Sequence, residues 1–283
     1  MSRIAIVTDS TANLPPDFIE YHNIQVLPLK IHWGDENFED GVDITPSDFY
    51  ERLAKSSDLP TTSQPSMQEF INVFEKLAPQ CDGIIVPLIS SGISGTVDSA
   101  LAAQNQFSAV PVEIVDSYST SAGLALVVIA ASRAADAGES LEEIKQITKN
   151  VASEVQLYFM VNTLEYLHRG GRIGGASRFL GTVLNIKPIL YLDEQGEIEA
   201  LEQVRTFRKA LARLVELAVD KADRKSAHVG IIHANAPDQA EIFRNQIADR
   251  IRCSQLDIYE LSPVIGTHVG PGTIGIALYT ESE

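Results

Sequence analysis

The chain has 283 residues, with 22 Lys and Arg against 38 Asp and Glu, a formal net charge of −16. That balance argues against nucleic-acid binding and against docking on anionic lipid surfaces, both of which need clustered cations. With 45% hydrophobic and 21% charged residues, the chain excludes whole-length disorder, buries a large core without disulfide or metal staples, and suggests two domains. In chain order, Arg3–Thr8 predicts a buried strand, Asp17–His22 a short helix opened by Pro15-Pro16, and Ile24–His32 a second strand. Thr45 reads as an N-cap with Pro46 at the first helical position, and Ser66 with Glu69 as a capping box before a helix through Leu77. Gly83–Ile89 predicts a strand, a helix starts near Thr96, Val112–Val115 predicts a strand, and Ser119–Ala135 a long buried helix. This alternation points to a mostly parallel α/β sheet covered on both faces.

The second half reads differently. Helix Ser140–Glu154 leads to strand Gln156–Val161, and strands Pro188–Leu192 and Ile198–Val204 flank the hairpin signal Asp193-Glu194-Gln195-Gly196. Helix Phe207–Val219, strand Ala227–His233, helix Asp238–Ile251 and strands Gln255–Glu260 and Thr273–Tyr279 follow. Hairpins mixed with helices imply an α+β domain with a mixed or antiparallel sheet. The boundary is placed near residue 155, giving an N-terminal α/β domain over 1–155, a C-terminal α+β domain over 156–283, and a ligand site at or near their interface.

Met1-Ser2-Arg3 runs straight into an apolar tetrapeptide that Asp9 soon stops, unlike a signal peptide, and Ala122–Ala131 is too short to cross a bilayer. Cys81 and Cys253 have no C-x-x-C partner and read as small buried hydrophobes in a reducing compartment. A cytoplasmic protein is expected. The six histidines are scattered, so no metal site and no cofactor are expected.

Four polar segments interrupt the apolar elements: Thr8–Thr11, Thr61–Ser66, Ser90–Thr96 and Gly266–Gly272. The first three fall at strand carboxyl ends or helix starts, the edge where open α/β sheets bind ligands. Asp9-Ser10 reads mainly as a cap or turn. Thr62 and Ser63 are open between capping and binding, because Ser66 already caps. Ser90–Thr96 holds more hydroxyls and glycines than one cap requires, which marks Ser94, Gly95 and Thr96 as ligand-binding candidates. Ser94 with His268 as base is a possible hydrolase or acyltransferase pair, although no G-x-S-x-G elbow surrounds Ser94. Gly266–Gly272 reads as a rigid glycine-rich loop that exposes His268 and leads into a strand. From Arg169 to Arg213 eight basic residues face five acidic ones, a basic island that suggests an anionic partner or phosphate. Its His168–Gly175 block misses the G-x-G-x-x-G spacing.

Thr8-Asp9-Ser10-Thr11 with Leu14-Pro15, Thr62-Ser63-Gln64-Pro65, Ser94-Gly95-Thr96, Gly170-Gly171-Arg172-Ile173 and Gly266–Gly272, in this order, resemble the DegV family. The resemblance implies a two-domain α/β protein that binds one long-chain fatty acid, as the non-catalytic subunit of a bacterial fatty acid kinase. A separate ATP-dependent kinase subunit would phosphorylate the carboxylate, and the acyl phosphate would feed phospholipid synthesis. By the same resemblance, Thr62 and Ser94 match carboxylate-binding hydroxyls, His268 a ligand-end histidine, and Arg172 and Arg205 basic positions facing the phosphate or the kinase. Val97-Asp98 departs from the Tyr-Gln pair common after Ser-Gly-Thr. The rival readings are a stand-alone serine hydrolase or acyltransferase using Ser94 and His268, and a phosphate- or nucleotide-binding enzyme using the arginine-glycine block.

Overall fold

The computed structural model describes residues 3–181 and 186–280. Strand β1 (Ile4–Asp9) runs into a short 3₁₀ turn and then α1 (Pro16–Tyr21). The single strand predicted over Ile24–His32 is split at Pro28 into β2 (Gln25–Leu27) and β3 (Lys30–Trp33), which enter different sheets. Proline offers no ladder N–H, so the chain changes sheets there. Strand β4 (Glu36–Glu39), not expected from the sequence, folds back on β3. Next come α2 (Pro46–Lys55), capped by Thr45, and β5 (Thr61–Ser63), which closes an antiparallel sheet of order β4-β3-β5. Helix α3 (Met67–Leu77) starts with the expected Ser66–Glu69 capping box. The alternation continues with β6 (Gly83–Leu88), α4 (Thr96–Gln104), β7 (Val112–Asp116), α5 (Ala122–Asp136) and α6 (Leu141–Glu154).

Strands β2-β1-β6-β7 form an all-parallel sheet. Successive residues of its strands feed two different cores. Ile6, Ile85 and Val115 face the core that holds α5 and α6, whereas Val7, Ile84 and Val86 pack with Phe70 and Phe74 of α3 and Ala100 and Ala103 of α4. Burial on both faces explains why Gly83–Leu88 is apolar throughout.

The rest of the chain adds β8 (Gln156–Met160), α7 (Glu165–Arg169), β9 (Lys187–Leu192), β10 (Ile198–Val204), α8 (Phe207–Ala222), β11 (Ala227–His233), α9 (Pro237–Ala248), β12 (Cys253–Glu260), α10 (Pro263–Val269) and β13 (Ile274–Thr280). Six strands in the order β10-β9-β8-β13-β11-β12 make a mixed sheet, antiparallel except for the β11–β12 pair. Helices α8 and α9 cover one face through Leu211, Leu214, Phe243 and Ile247. The other face, with Leu157, Phe159 and Ile232, shares a core with α5. Helix α5 therefore lies between two sheets, and twelve of its fifteen residues are buried, which is why its sequence is apolar on all sides.

Two short helices stand where loops are expected. Helix α7 occupies Glu165–Arg169, and the predicted Gly266–Gly272 loop is helical as far as Val269. Ser262-Pro263 starts α10 and Gly270, at φ 72°, ends it. Among the described residues no helix is long and apolar enough to cross a membrane.

Candidate functional site

The parallel sheet reverses its strand order between β1 and β6, the place where open α/β sheets usually bind ligands. Here a side chain occupies that crevice. The buried Asp9 carboxylate accepts hydrogen bonds from the Thr11 amide (2.9 Å) and the Ile89 amide (2.8 Å), so the Thr8–Thr11 segment ties the two strand ends together. Burial raises the Asp9 pKa above the usual carboxylate range, against the lowering effect of those bonds.

An apolar-walled cavity lies beyond this crevice, between the two sheets, with about 750 Å³ of interatomic space including its mouth. Its walls are apolar and come from Ile89 at the end of β6, Leu157 and Phe159 of β8, Ile232 of β11 and Val264 and Ile265 of α10. Thr62, Ser63, Ser94, Arg172 and His268 also line it, and all five are only half-buried, so the polar end reaches the surface.

Each polar group reaches this end by a different route. Thr62 lies on β5, paired with Ile31 of β3, and its Oγ1 is hydrogen bonded to His268 Nε2 at 2.7 Å across 206 residues of sequence. His268 is in the last turn of α10 rather than on an exposed loop. Burial first, and then the Arg172 charge, push its pKa down to about 4, so the imidazole is neutral at pH 7. Its Nδ1 has no partner among the described residues and lies over Gly170, where any β-carbon would overlap the ring. Ser63 is turned to His32, with Oγ and Nε2 2.8 Å apart.

Ser94 sits in the turn between β6 and α4. Its amide donates to the Ser90 carbonyl (3.1 Å), and its Oγ is hydrogen bonded to Thr96 Oγ1 at 2.8 Å. Thr96 is fully buried and does not line the cavity; it holds Ser94. Gly95 does not line the cavity either and lies against the Gln64 side chain. The turn rests on the β9–β10 hairpin, whose Gly196 carbonyl accepts from Ser90 Oγ at 2.9 Å. The departure at Val97 is accommodated in the core beside Phe70 and Phe74.

Arg172 follows α7 and donates through Nε to the Ile93 carbonyl (3.2 Å) and through Nη1 to the Gly170 carbonyl (3.0 Å). It thereby joins the Ser94 turn to the segment that packs on His268. Arg205 is exposed just after β10 and does not line the cavity. Part of the basic island is paired with neighbouring acids: Arg169 with Glu165, Arg178 with Glu199, and Arg213 with both Glu202 and Glu216.

Two residues that sequence reasoning missed position α10. Asp40, buried, accepts from the Val264 amide (3.2 Å) at the start of that helix and from Ser10 Oγ (2.7 Å), and burial raises its pKa to about 6. The Tyr50 hydroxyl donates to the Leu261 carbonyl at 3.2 Å. No spacing rule links either residue to residues near 262. The only local signal is a polar Asp40 at the end of an amphipathic hairpin.

The proposed hydrolase pair is not assembled as a nucleophile and base. His268 Nε2 is engaged by Thr62 and Ser94 Oγ by Thr96, whereas a triad needs the serine on the imidazole and an acid behind it. Among the described residues no group of three His, Cys, Asp or Glu side chains is placed to hold a metal ion.

Fold and cavity together define an α/β protein with an internal apolar cavity that opens at hydroxyls, an imidazole and a guanidinium. The model of the DegV family of uncharacterised proteins matches residues 3–281, and the chain belongs to that family. A DegV domain-containing protein of Streptomyces coelicolor is 39% identical over 281 residues, 98% of this chain and 99% of the relative. Among solved structures, a DegV family protein from Thermus thermophilus described for its fatty acid binding superposes with a TM-score of 0.94 at 34% identity, covering 99% of this chain and all of that one. DegV of Bacillus subtilis, described as a fatty acid binding protein, superposes at 0.89 and 34% identity over 99% of this chain and 100% of that one.

Proposed function

We propose that this protein binds one long-chain fatty acid, with the alkyl chain in the apolar cavity and the carboxylate at Thr62, Ser94 and His268. It then presents that carboxylate to a separate cytoplasmic kinase subunit, which uses ATP to form the acyl phosphate for phospholipid synthesis. The two sheets are read as the cores of two domains that part near residue 155, with the ligand between them. The observation that carries the reading is the cavity itself: buried hydrocarbon walls end at half-exposed neutral hydrogen-bond donors.

The energetics are consistent with this. Burying about fourteen methylenes at about 0.8 kcal/mol each supplies roughly 11 kcal/mol before opposing terms. Ordering the chain and desolvating the carboxylate oppose this gain. A proton on His268 Nε2 would donate to Thr62 Oγ1 and leave the Thr62 O–H directed at a carboxylate oxygen. Thr96 would prepare Ser94 in the same way for the other oxygen. Neutral donors hold the carboxylate without quenching its nucleophilicity as a buried ion pair would. Arg172, at the mouth, is assigned to the transferring phosphate, and the exposed Arg205 to the kinase surface.

Denaturing extraction of the purified protein followed by mass spectrometry should release a long-chain fatty acid, and delipidated protein should bind stearate on titration. With ATP and the kinase subunit, hydroxylamine should trap an acyl hydroxamate, and Arg172→Ala should abolish it. Absence of lipid together with no stearate binding would overturn the reading. So would labelling of Ser94 by a serine-directed phosphonate with ester turnover by the chain alone, which is the hydrolase outcome.

A further inference from the structure

Three polar residues of the cavity wall are buried: Thr120, Ser121 and Thr273. The Ser121 hydroxyl donates to Asn13 Oδ1 at 3.0 Å, and the Thr273 hydroxyl lies 3.1 and 3.0 Å from the Val269 and Gly270 carbonyls that accept from it. The Thr120 hydroxyl has no partner among the described residues. Nearby Ser119 also carries an unpartnered hydroxyl, but it packs over Gly123 and is not part of the wall.

Thr120 is held firmly in place. Its carbonyl accepts from the Gly123 and Leu124 amides (3.0 and 3.3 Å) at the start of α5. The next residue, Ser121, stands at φ 49°, ψ −130°, a backbone region that non-glycine residues rarely adopt and that persists where the surroundings enforce it. The fold thus fixes an unsatisfied hydroxyl on the wall of an apolar cavity, where an unmade hydrogen bond costs stability and a valine would fill the same volume without that cost.

We infer that Thr120 is a subsite for an oxygen function borne along the acyl chain, so that the cavity accepts hydroxylated long-chain fatty acids. This rests on the fatty-acid reading above. An alkyl hydroxyl entering an otherwise apolar cavity is penalised. Beside Thr120 it exchanges a hydrogen bond and satisfies the orphaned group as well.

The test uses the full chain, delipidated and titrated with stearate, oleate and a positional series of hydroxystearates. At least one hydroxystearate should bind the wild type as tightly as stearate. On Thr120→Val that isomer should weaken about tenfold relative to stearate, the loss of roughly one hydrogen bond. Thr120→Ser, which keeps the hydroxyl, should preserve the wild-type ratio, and the Thr120→Ser and Thr120→Ala pair replaces the valine variant if that variant does not fold. A hydroxystearate-to-stearate ratio unchanged by loss of the hydroxyl for every isomer overturns the inference, as does an effect confined to oleate. If stearate binds and no hydroxystearate does, only this subsite fails. If neither binds, the proposed function itself fails and takes the subsite with it.

Discussion

Ser94 and Thr62 both reach the cavity mouth, but they are held there in different ways. Ser94 Oγ is fixed by its own neighbourhood, a turn closed by Ser90 and Thr96 across seven residues, and that turn is seated on the β9–β10 hairpin through Gly196. Thr62 is fixed by a histidine 206 residues away, carried on a short helix that depends on Asp40 and on the bare α-carbon of Gly170. The Ser94 hydroxyl is therefore set by local partners on a turn that the β9–β10 hairpin and Arg172 support from outside, whereas the Thr62 hydroxyl itself depends on a tertiary assembly in which each part holds the next. Substitutions on the two sides should separate accordingly.

The largest effect is expected at Gly170→Ala. The new methyl overlaps the His268 ring and meets the Tyr166 carbonyl at 3.0 Å, and a packed backbone cannot yield cheaply. A loss of about 3 kcal/mol in stability, measured by denaturant unfolding, should accompany loss of stearate binding. Gly95→Ala is the matching change beside Ser94; Gly92 of the same turn lies against hairpin backbone, whereas Gly95 faces a side chain. Its methyl meets only the end of the flexible Gln64 side chain, at 2.9 Å, and should cost under about 1 kcal/mol. Equal effects at the two glycines would contradict the contrast.

The imidazole also makes the tertiary side sensitive to pH. His268 titrates at about 4 in the fold against an ordinary 6.5, so the folded state favours the neutral ring. That stability is present above pH 6.5 and is lost as pH falls towards 4, by up to about 3 kcal/mol. His268→Gln should flatten this part of the unfolding free-energy profile. Asp40 works in the opposite sense. Its pKa is raised to about 6 from 3.8, so its ionisation penalises the fold as pH rises through that interval. Asp40→Asn should gain about 2 kcal/mol on the wild type as pH rises from 4 to 6, added to a pH-independent offset from its altered hydrogen bonds. A wild-type-minus-variant difference that does not change with pH would remove the corresponding group from the account.

A smaller difference should separate Thr62→Val from Ser94→Ala. The first leaves the His268 ring with no partner on either nitrogen and should cost about 2 kcal/mol. The second opens a half-exposed turn to water and should cost about 1 kcal/mol or less. Thermal unfolding of the ligand-free variants measures both.

The same division explains what could be read from the sequence. The parallel sheet, the Ser66–Glu69 capping box, the buried α5 and the Asp193–Gly196 hairpin were legible, because each is specified by residues a few positions apart. The break at Pro28, strand β4 and helices α7 and α10 were not. Their segments are too short for a hydrophobic period, although Pro263 and Gly270 carry the start and stop signals of α10. Ser94 was legible as an excess of hydroxyls after a strand. The pairing of Thr62 with His268 was not, since no spacing rule connects residues so far apart; family resemblance brought them together before geometry did. The basic island was a real charge excess, yet much of it is spent on nearby acids, and only Arg172 reaches the cavity.

Carbon-13 NMR of carboxyl-labelled stearate bound to the protein tests the central claim most directly. One bound carboxyl resonance is predicted, shifted from that of the free acid, moved by Thr62→Val and by Ser94→Ala, and left in place by Thr120→Val deeper in the wall. A carboxyl signal indifferent to both mouth hydroxyls, or one that responds only at Thr120, would contradict the account.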